Sequence, residues 1–187
     1  MENLGEKIDI IDLGGGLGVD YTDNNISFDT KKYFIELKKL IDEYGFTNKE
    51  FILELGCYLV ASAGYYLSKI VDIKESKGYK HIILAGGLNH IPTATLNGKH
   101  PFKIISMNQK KLYANQIEVI DEIVDIDGPL CTAEDKVLWD VYVEKAQIGD
   151  IVIIRQAGAY CYSAAWLEFL SHEYPVELII NLSLIHI

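Results

Sequence analysis

The stretch IDIIDLGGGLGVDY places a cluster of glycines directly after an apolar run. Gly14, Gly15 and Gly16 are consecutive, and backbone N–H groups without side chains around them can form a concave site for a phosphate. No Gly-Lys-Ser/Thr follows, as a Walker A loop requires, and the third glycine of a dinucleotide fingerprint falls on Val19. The residues leave two interpretations open, a phosphate site of another kind or a tight turn.

A carboxylate stands near the end of the second apolar run. The run FILEL carries Glu54, and Gly56 and Cys57 follow it. Catalytic groups of α/β barrels lie at the carboxyl ends of the parallel strands, so Glu54 stands where such a group is expected. A glutamate that caps the next helix or pairs with a lysine is the alternative. Together, a phosphate site and a carboxylate match two needs of a pyridine cofactor, one for its phosphate tail and one for its ring nitrogen.

Two further segments carry side chains that could move protons or bind phosphate. In GPLCTAED, Cys131 follows a Gly-Pro turn in a polar loop, where a thiol can act as nucleophile or proton donor. Asp135 closes this segment and could cap a turn or position a ligand. In QAGAYCYS, Tyr160 follows an apolar run and two small residues, and its hydroxyl could reach a phosphate. The chain has 12 tyrosines, so a packing role for Tyr160 is the alternative.

The elements that must position these residues begin with alternating strands and helices. Near-continuous apolar runs at 8–13 and 51–55 are typical of parallel strands that are buried on both faces. Residues 29–44 carry apolar side chains at helical spacing, with Asp29 or Thr30 as N-cap. Residues 58–76 predict a second helix. This β-α-β-α order is that of a parallel α/β layer.

Beyond residue 78 the pattern predicts strands without helices. Short apolar runs are separated by turn sequences such as LNGKHP and QIGD. The fold class is therefore α/β followed by a mostly β region, in two parts that cover residues 1–78 and 79–187. The predicted strands of the second part cover residues 81–86, 102–106, 117–124, 150–156 and 176–181.

Composition and charge restrict the partners and the compartment. The net charge is −10 and no block of lysine or arginine stands out, which argues against nucleic acid as a partner. No run reaches the roughly 18 apolar residues of a membrane span. The three cysteines share no metal-ligand spacing, and we expect them to be reduced in a cytoplasmic protein. The apolar terminal segment ELIINLSLIHI, without a polar tail, leads us to expect a fragment.

Taken in order, seven segments resemble the fold-type III pyridoxal-phosphate-dependent decarboxylases, the ornithine/diaminopimelate decarboxylase family. They are DLGGGLGVDY, ELGCYLVASAG, GGLNH, GPLCTAED, GDIVII, AGAYCYSA and FLSHEYPVE. The resemblance implies the C-terminal portion of a (β/α)8 TIM barrel in residues 1–78 and a β-domain, barrel-like or sandwich-like, in residues 79–187. It also implies pyridoxal 5′-phosphate as cofactor, an amino-acid substrate, and a homodimer with active sites at the subunit interface.

The resemblance further implies a role for each candidate residue. Glu54 would pair with the pyridine nitrogen of the cofactor and keep it protonated, which makes the ring an electron sink. Cys131 would reach the partner's active site and help to return a proton after CO2 leaves. Tyr160 would hydrogen-bond the cofactor phosphate. The backbone N–H groups of five residues would hold that phosphate: Gly14, Gly15, Gly16, Gly56 and Cys57.

Two departures from the family pattern bear on the substrate. The family usually has Glu-Pro-Gly-Arg where this chain has Glu-Leu-Gly-Cys, and the Cys57 thiol cannot replace the fixed cation of an arginine. Thr132 follows Cys131 where ornithine and diaminopimelate decarboxylases have an acidic residue that meets the distal end of the substrate. Thr132 and Asp135 are therefore candidate substrate contacts. The pattern is closer to the secondary-metabolism branch, which includes decarboxylases of amino acids tethered to carrier proteins.

The resemblance also leaves a second function open. The family's Schiff-base lysine is expected upstream of Met1, so we expect no decarboxylase activity from this chain alone. Release of CO2 from an amino acid by the isolated chain would contradict that expectation. The alternative is a non-catalytic, decarboxylase-like protein that binds and regulates a true decarboxylase. Glu54, Cys131 and Tyr160 favour the enzyme, because a non-catalytic relative has no need of them, whereas Cys57 weakly favours the alternative.

Overall fold

The first part of the fold is a β-α-β unit. The computed structural model describes residues 8–22, 27–92, 100–107 and 116–180. Strands β1 (Ile10–Asp12) and β2 (Glu50–Ile52) pair in parallel, and helix α1 (Thr30–Glu43) connects them. Asp29 is the N-cap of α1, because its Oδ1 accepts the Lys32 N–H at 2.9 Å. The predicted order of strand, helix and strand is therefore confirmed.

The two parallel strands are not buried, in contrast to the expectation from their apolar runs. Ile10 is 52% exposed, Ile52 is also exposed, and α1 buries none of its residues. Among the described residues, β1 and β2 have only each other as sheet neighbours. Their outward side chains therefore meet solvent, and the prediction of burial on both faces is wrong for the described structure.

The second part is a sheet that holds the main hydrophobic core. Among the described residues the sheet has six strands, in the order β5-β8-β3-β4-β6-β7. Neighbours are antiparallel except for β4 and β6, which are parallel. This result confirms that the second half is mostly β. The strands are β3 (Tyr65–Ser76), β4 (Tyr79–Leu84), β5 (Phe102–Ile105), β6 (Val119–Asp127), β7 (Lys136–Ala146) and β8 (Ile151–Arg155).

The predicted helix over residues 58–76 is wrong beyond residue 63. A single helical turn, α2 (Cys57–Val60), and a 3-10 turn (Ala61–Ala63) are followed by β3. β3 pairs with β4 on one edge and with β8 on the other, so tertiary pairing overrides the helical spacing of its apolar residues. The sheet therefore begins at Tyr65, ahead of the boundary predicted near residue 78.

Strand β7 was not predicted from the sequence, and the strand predicted at residues 176–181 does not form in its described part. Asp140 in β7 has a left-handed φ of 51°, and the alternation of buried and exposed residues breaks around it. Residues 176–180 have no regular structure, and Ile179 is 99% exposed, because no strand within the described ranges pairs with them. The terminal SLIHI lies outside the described residues. The last described element is a 3-10 turn (Phe169–Ser171).

The helices of the structure can be compared with the length and hydrophobicity of a membrane span. In the described part of the chain, no helix combines the length and the apolar character that crossing a membrane requires.

Candidate functional site

The glycine loop, Gly14–Gly16, continues directly from β1. Asp12 Oδ1 accepts the Gly14 N–H at 2.7 Å and closes an Asx turn at the end of the strand. Gly14 and Gly16 have φ values of 69° and 80°, a conformation that glycine adopts without steric cost. The N–H groups of Gly15 and Gly16 have no hydrogen-bond partner among the described residues. Two of the three donors predicted in this loop are thus available for a ligand, while the Gly14 N–H is already used.

The glycine loop packs against the segment that carries Glu54. The Glu54 N–H donates to the Gly14 carbonyl at 2.8 Å, which extends the parallel pairing of β1 and β2 beyond the strand ends. A methyl group on Gly15 would collide with the backbone oxygen of Glu54, so the two backbones approach too closely for any side chain at Gly15. Glu54 is exposed at this edge. The structure therefore brings the predicted carboxylate residue and the predicted phosphate loop together.

Tyr160 reaches the same region from the segment that follows β8. A methyl group on Gly56 would come within 2.6 Å of the Tyr160 hydroxyl oxygen, so this hydroxyl lies directly against Gly56. Two residues earlier, the Gly158 N–H donates to the Ala61 carbonyl at 2.9 Å. Gly158 also packs on the Val60 carbonyl too tightly for a side chain. These backbone contacts fix the Tyr160 segment onto the segment that follows Glu54.

The contact between Gly56 and Tyr160 predicts a coupled effect on stability. Gly56→Ala should lower the free energy of unfolding by about 1 kcal/mol, because the methyl group forces the Tyr160 hydroxyl to move and this 58% exposed side chain can shift at low cost. Tyr160→Phe removes that oxygen and leaves the ring carbon Cζ, 3.3 Å from the methyl position, as the nearest atom. The alanine should therefore cost less in the Tyr160→Phe background. Urea unfolding of both single variants and the double variant measures the coupling, and equal costs in both backgrounds would contradict it.

Cys57 belongs to a cluster that the sequence did not predict. Burial raises the pKa of Tyr21 above its ordinary value, and the neighbouring Cys57 thiol adds to this effect. The Tyr21 ring lies 4.6 Å from the ring of His100, measured between centroids. His100 is buried and its Nδ1 donates to the Arg155 carbonyl at 3.0 Å, while Nε2 has no partner among the described residues. No short-range pattern could have revealed this cluster, because its members are distant in sequence.

The buried His100 predicts a pH dependence of stability. Burial lowers the pKa of His100, and the hydrogen bond to the Arg155 carbonyl opposes this effect only in part. The unfolded chain takes up the proton near pH 6.5, so the unfolded state binds more protons and stability falls as the pH drops below about 6.5. His100→Phe keeps an aromatic ring beside Tyr21 but cannot titrate. Denaturant unfolding at pH 7, 6 and 5 should show a flatter dependence for this variant, and an unchanged slope would refute the assignment.

A cavity of about 400 Å³ opens beside Cys57. Among the described residues that line it there is no lysine or arginine, and Gln156 contributes a buried Oε1 without a hydrogen-bond partner. The cavity therefore offers polar groups and one acid, but no cation for an anionic ligand. The other lining residues are Gly18, Val19, Asp20, Ser27, Phe28, Tyr58, Ala61 and Ser62.

The turn between β6 and β7 carries the remaining predicted site residues. Cys131 is exposed, and the Thr132 hydroxyl donates to the Glu134 carboxylate. Asp135 is 3% exposed, and both of its carboxylate oxygens accept backbone N–H groups. In the described structure no hydrogen bond joins this turn to the glycine loop. The contacts of the described residues therefore bring together the glycine loop, Glu54, Cys57 and Tyr160, and none of the hydrogen bonds among them joins the glycine loop to Cys131, Thr132 or Asp135.

One group of side chains has the spacing of metal ligands. Ligand atoms of His81, Asp125 and Asp127 lie within 4.8 Å of one another. The Lys136 ammonium pairs with Asp125, and His81 Nδ1 lies 2.8 Å from Asp127 Oδ2. Each carboxylate of the group already has a basic side chain as its partner, so we interpret the group as an ion-pair network between β4, β6 and β7.

Comparison with known proteins identifies the family. Residues 38–158 match the family model for the C-terminal sheet domain of pyridoxal-dependent decarboxylases, and residues 1–61 match the model for their pyridoxal binding domain. The chain is 31% identical, over 88% of its length, to 2-[(L-alanin-3-ylcarbamoyl)methyl]-2-hydroxybutanedioate decarboxylase from Staphylococcus aureus. It is 33% identical, over 95% of its length, to L-glutamyl-[BtrI acyl-carrier protein] decarboxylase from Niallia circulans. In both cases it spans 42% of the relative's length.

Solved structures show the same fold. Diaminopimelate decarboxylase from Helicobacter pylori, complexed with L-lysine, aligns with a TM-score of 0.71 and 24% identity, over 92% of this chain and 40% of that chain. Diaminopimelate decarboxylase from M. jannaschii, also with L-lysine, gives a TM-score of 0.69 and 29% identity, over 93% and 39%. The resemblance seen in the sequence and the expected pyridoxal cofactor are confirmed by the two family models. Because one of these models alone covers more than half of the chain, the chain belongs to the pyridoxal-dependent decarboxylases.

Proposed function

We propose that this chain forms part of the cofactor site of a pyridoxal-phosphate-dependent amino-acid decarboxylase. The packing of Gly15 on the Glu54 backbone carries the proposal. This contact holds a loop with available N–H groups beside a carboxylate residue at the ends of two parallel strands. A cofactor with a phosphate at one end and a basic ring nitrogen at the other needs both groups.

The residues present fit such a cofactor. The N–H groups of Gly15 and Gly16 would hold its phosphate, and the Tyr160 hydroxyl beside Gly56 would add a further donor. The Glu54 carboxylate would hold a proton on the ring nitrogen. When bound, pyridoxal phosphate supplies the electron sink that stabilises the charge left by departing CO2.

Cys131 and the assembly complete the proposal. Cys131 is exposed on a turn that makes no hydrogen bond to the glycine loop in the described structure, which is compatible with a thiol that serves the active site of a second subunit in a homodimer. There it would return a proton to the carbon that has lost CO2. We also propose that the β-α-β unit is part of a (β/α)8 barrel, because further strands would cover the exposed apolar side chains of β1 and β2. We further propose that the division between the barrel part and the sheet part falls next to Tyr65, where the first strand of the sheet begins, and not near residue 78.

The residue that follows Cys131 bears on the class of substrate. Thr132 replaces the acidic residue that would meet a distal ammonium group. We therefore propose a substrate whose distal end is uncharged, such as an amino acid tethered to a carrier protein. One of the two curated relatives named above acts on a carrier-bound glutamyl group.

Binding of pyridoxine 5′-phosphate to the folded chain tests the proposal. This compound has the ring nitrogen and the phosphate but no aldehyde, so it cannot react with surface lysines. We expect calorimetry to show binding at least about tenfold tighter than that of pyridoxine, because the phosphate meets charge-assisted hydrogen bonds. Equal affinities for the two compounds would contradict the phosphate role of the glycine loop. They would favour the non-catalytic alternative, for which Cys57 in place of arginine is the supporting observation.

A further inference from the structure

Asp135 is a buried acid for which the proposed chemistry has no use. Its Oδ1 accepts the Leu88 N–H at 2.5 Å and its Oδ2 accepts the Leu130 N–H at 2.7 Å. Its own backbone carbonyl accepts the Gly128 N–H at 2.8 Å. Two of these bonds close the turn that contains Cys131, and the third ties this turn to a loop that follows β4. The side chain that we expected at the substrate therefore faces the interior of the protein.

The space around the Asp135 carboxylate has no room for another side chain. A methyl group on either Gly87 or Gly128 would collide with the carboxylate. Bonds from backbone N–H groups to an ionised carboxylate are charge-assisted and directional, so they hold the two segments in a single arrangement. The buried Asp135 carboxylate therefore acts as a clamp between two backbone segments of the chain.

The loop on the other side of the clamp, Gly86–Ile91, we call the bridging loop. The Leu88 carbonyl accepts the Trp166 N–H at 3.3 Å, and the His90 Nε2 donates to the Glu173 carbonyl at 2.9 Å. His90 Nδ1 lies 3.0 Å from the Tyr66 hydroxyl on β3. The bridging loop therefore contacts the Cys131 turn, the core sheet and the segment that follows Tyr160.

We propose that Asp135 is a positioning residue that fixes the Cys131 turn on the bridging loop and so determines how the Cys131 thiol is presented. The proposal rests on the proposed role of Cys131 in catalysis. An asparagine at this position offers one acceptor oxygen, and its NH2 group faces a backbone N–H donor. The Asp135→Asn variant should therefore release one of the two segments while it keeps the size of the side chain.

The chain contains a matched control for this substitution. Asp150 is 2% exposed, and its two carboxylate oxygens accept the Met107 and Gln147 N–H groups, both at 3.0 Å. Asp150→Asn removes the same chemistry from a clamp beside β8, and strands β3 and β4 lie between β8 and the strand that leads into the Cys131 turn. The Asp150→Asn variant should therefore show how much the loss of any buried carboxylate changes the measured rates, independently of the Cys131 turn.

The experiment measures the alkylation rate of Cys131 by iodoacetamide and backbone hydrogen exchange, both resolved by peptide mass spectrometry on the full chain. For Asp135→Asn we expect exchange at residues 86–91 and 128–135 to rise about tenfold, as for one lost buried hydrogen bond. We also expect the alkylation rate of Cys131 to change at least about threefold. Asp150→Asn should leave both quantities within about twofold of the wild-type values.

An unchanged alkylation rate with faster exchange would overturn the positioning role and leave Asp135 a structural residue. Equal changes in the Asp150→Asn variant would overturn it as well, because they would reflect general destabilisation. If Asp135→Asn does not fold, Asp135→Ser replaces it, since serine is smaller and keeps one acceptor. Neither readout requires a cofactor or activity, so this test can fail while binding of pyridoxine 5′-phosphate succeeds, and the reverse.

Discussion

Gly158→Ala should destabilise the fold by about 3 kcal/mol or more. The methyl group would collide with the Val60 carbonyl oxygen and would also lie 2.8 Å from the Gly64 nitrogen. Both obstacles are backbone atoms, so no rotamer change can relieve the overlap, and the 60–64 segment must separate from the residues that follow β8. Overpacking usually costs about 1–3 kcal/mol, and a backbone collision belongs at or above the upper end of that range. Urea unfolding followed by circular dichroism measures the loss.

Gly78→Ala is the matched control for this prediction. A methyl group on Gly78 meets no atom within 4 Å, although its φ of 78° makes the substitution moderately unfavourable. A left-handed conformation costs a residue with a Cβ roughly 1–2 kcal/mol. If Gly158→Ala is no more destabilising than Gly78→Ala, the close approach of the two backbones is refuted.

Gly15→Ala should lower the affinity for pyridoxine 5′-phosphate at least tenfold. The methyl group would collide with the backbone oxygen of Glu54, so the glycine loop must move away from β2. That movement displaces the N–H groups of Gly15 and Gly16 from the place where the phosphate is expected. A tenfold loss corresponds to about 1.4 kcal/mol, which is within the worth of one hydrogen bond to a charged group. Calorimetric titration of the variant with pyridoxine 5′-phosphate checks the value.

Gly18→Ala provides the comparison in the same loop region. A methyl group on Gly18 would lie 3.8 Å from the Phe28 ring, an ordinary contact. This variant should bind pyridoxine 5′-phosphate within about threefold of the wild type, since nothing near the loop has to move. If both alanines weaken binding equally, the Gly15 contact does not shape the phosphate site.

The sequence allowed the prediction of those parts of the fold that depend on local signals. Asp29 caps α1 as expected, and the mostly β second half follows from short apolar runs between turns. The helix expected over residues 58–76 failed because strand pairing on both edges of β3 outweighs helical spacing. Pairing partners distant in the chain are invisible to a local pattern.

The same distinction applies to the candidate site. The glycine loop and Glu54 could be found because each lies at or near the end of an apolar run. The Asx turn made by Asp12 was not predicted, although an aspartate two residues before a glycine is a local signal for it. The contact of Tyr21 with His100 and the clamp made by Asp135 join residues remote in sequence, so only the fold reveals them.

The backbone contact between Gly158 and Val60 has a consequence for how this protein can diversify. The alignment of Tyr160 with Gly56 depends on main-chain atoms and on the absence of a side chain at Gly158. Exposed side chains around it, such as those of Leu59 and Val60, can therefore change without disturbing that alignment. In a saturation mutagenesis library, position 60 should tolerate many residues while position 158 accepts only glycine. The exposed surface beside Tyr160 can therefore change in evolution while the relation of Tyr160 to Gly56 stays fixed.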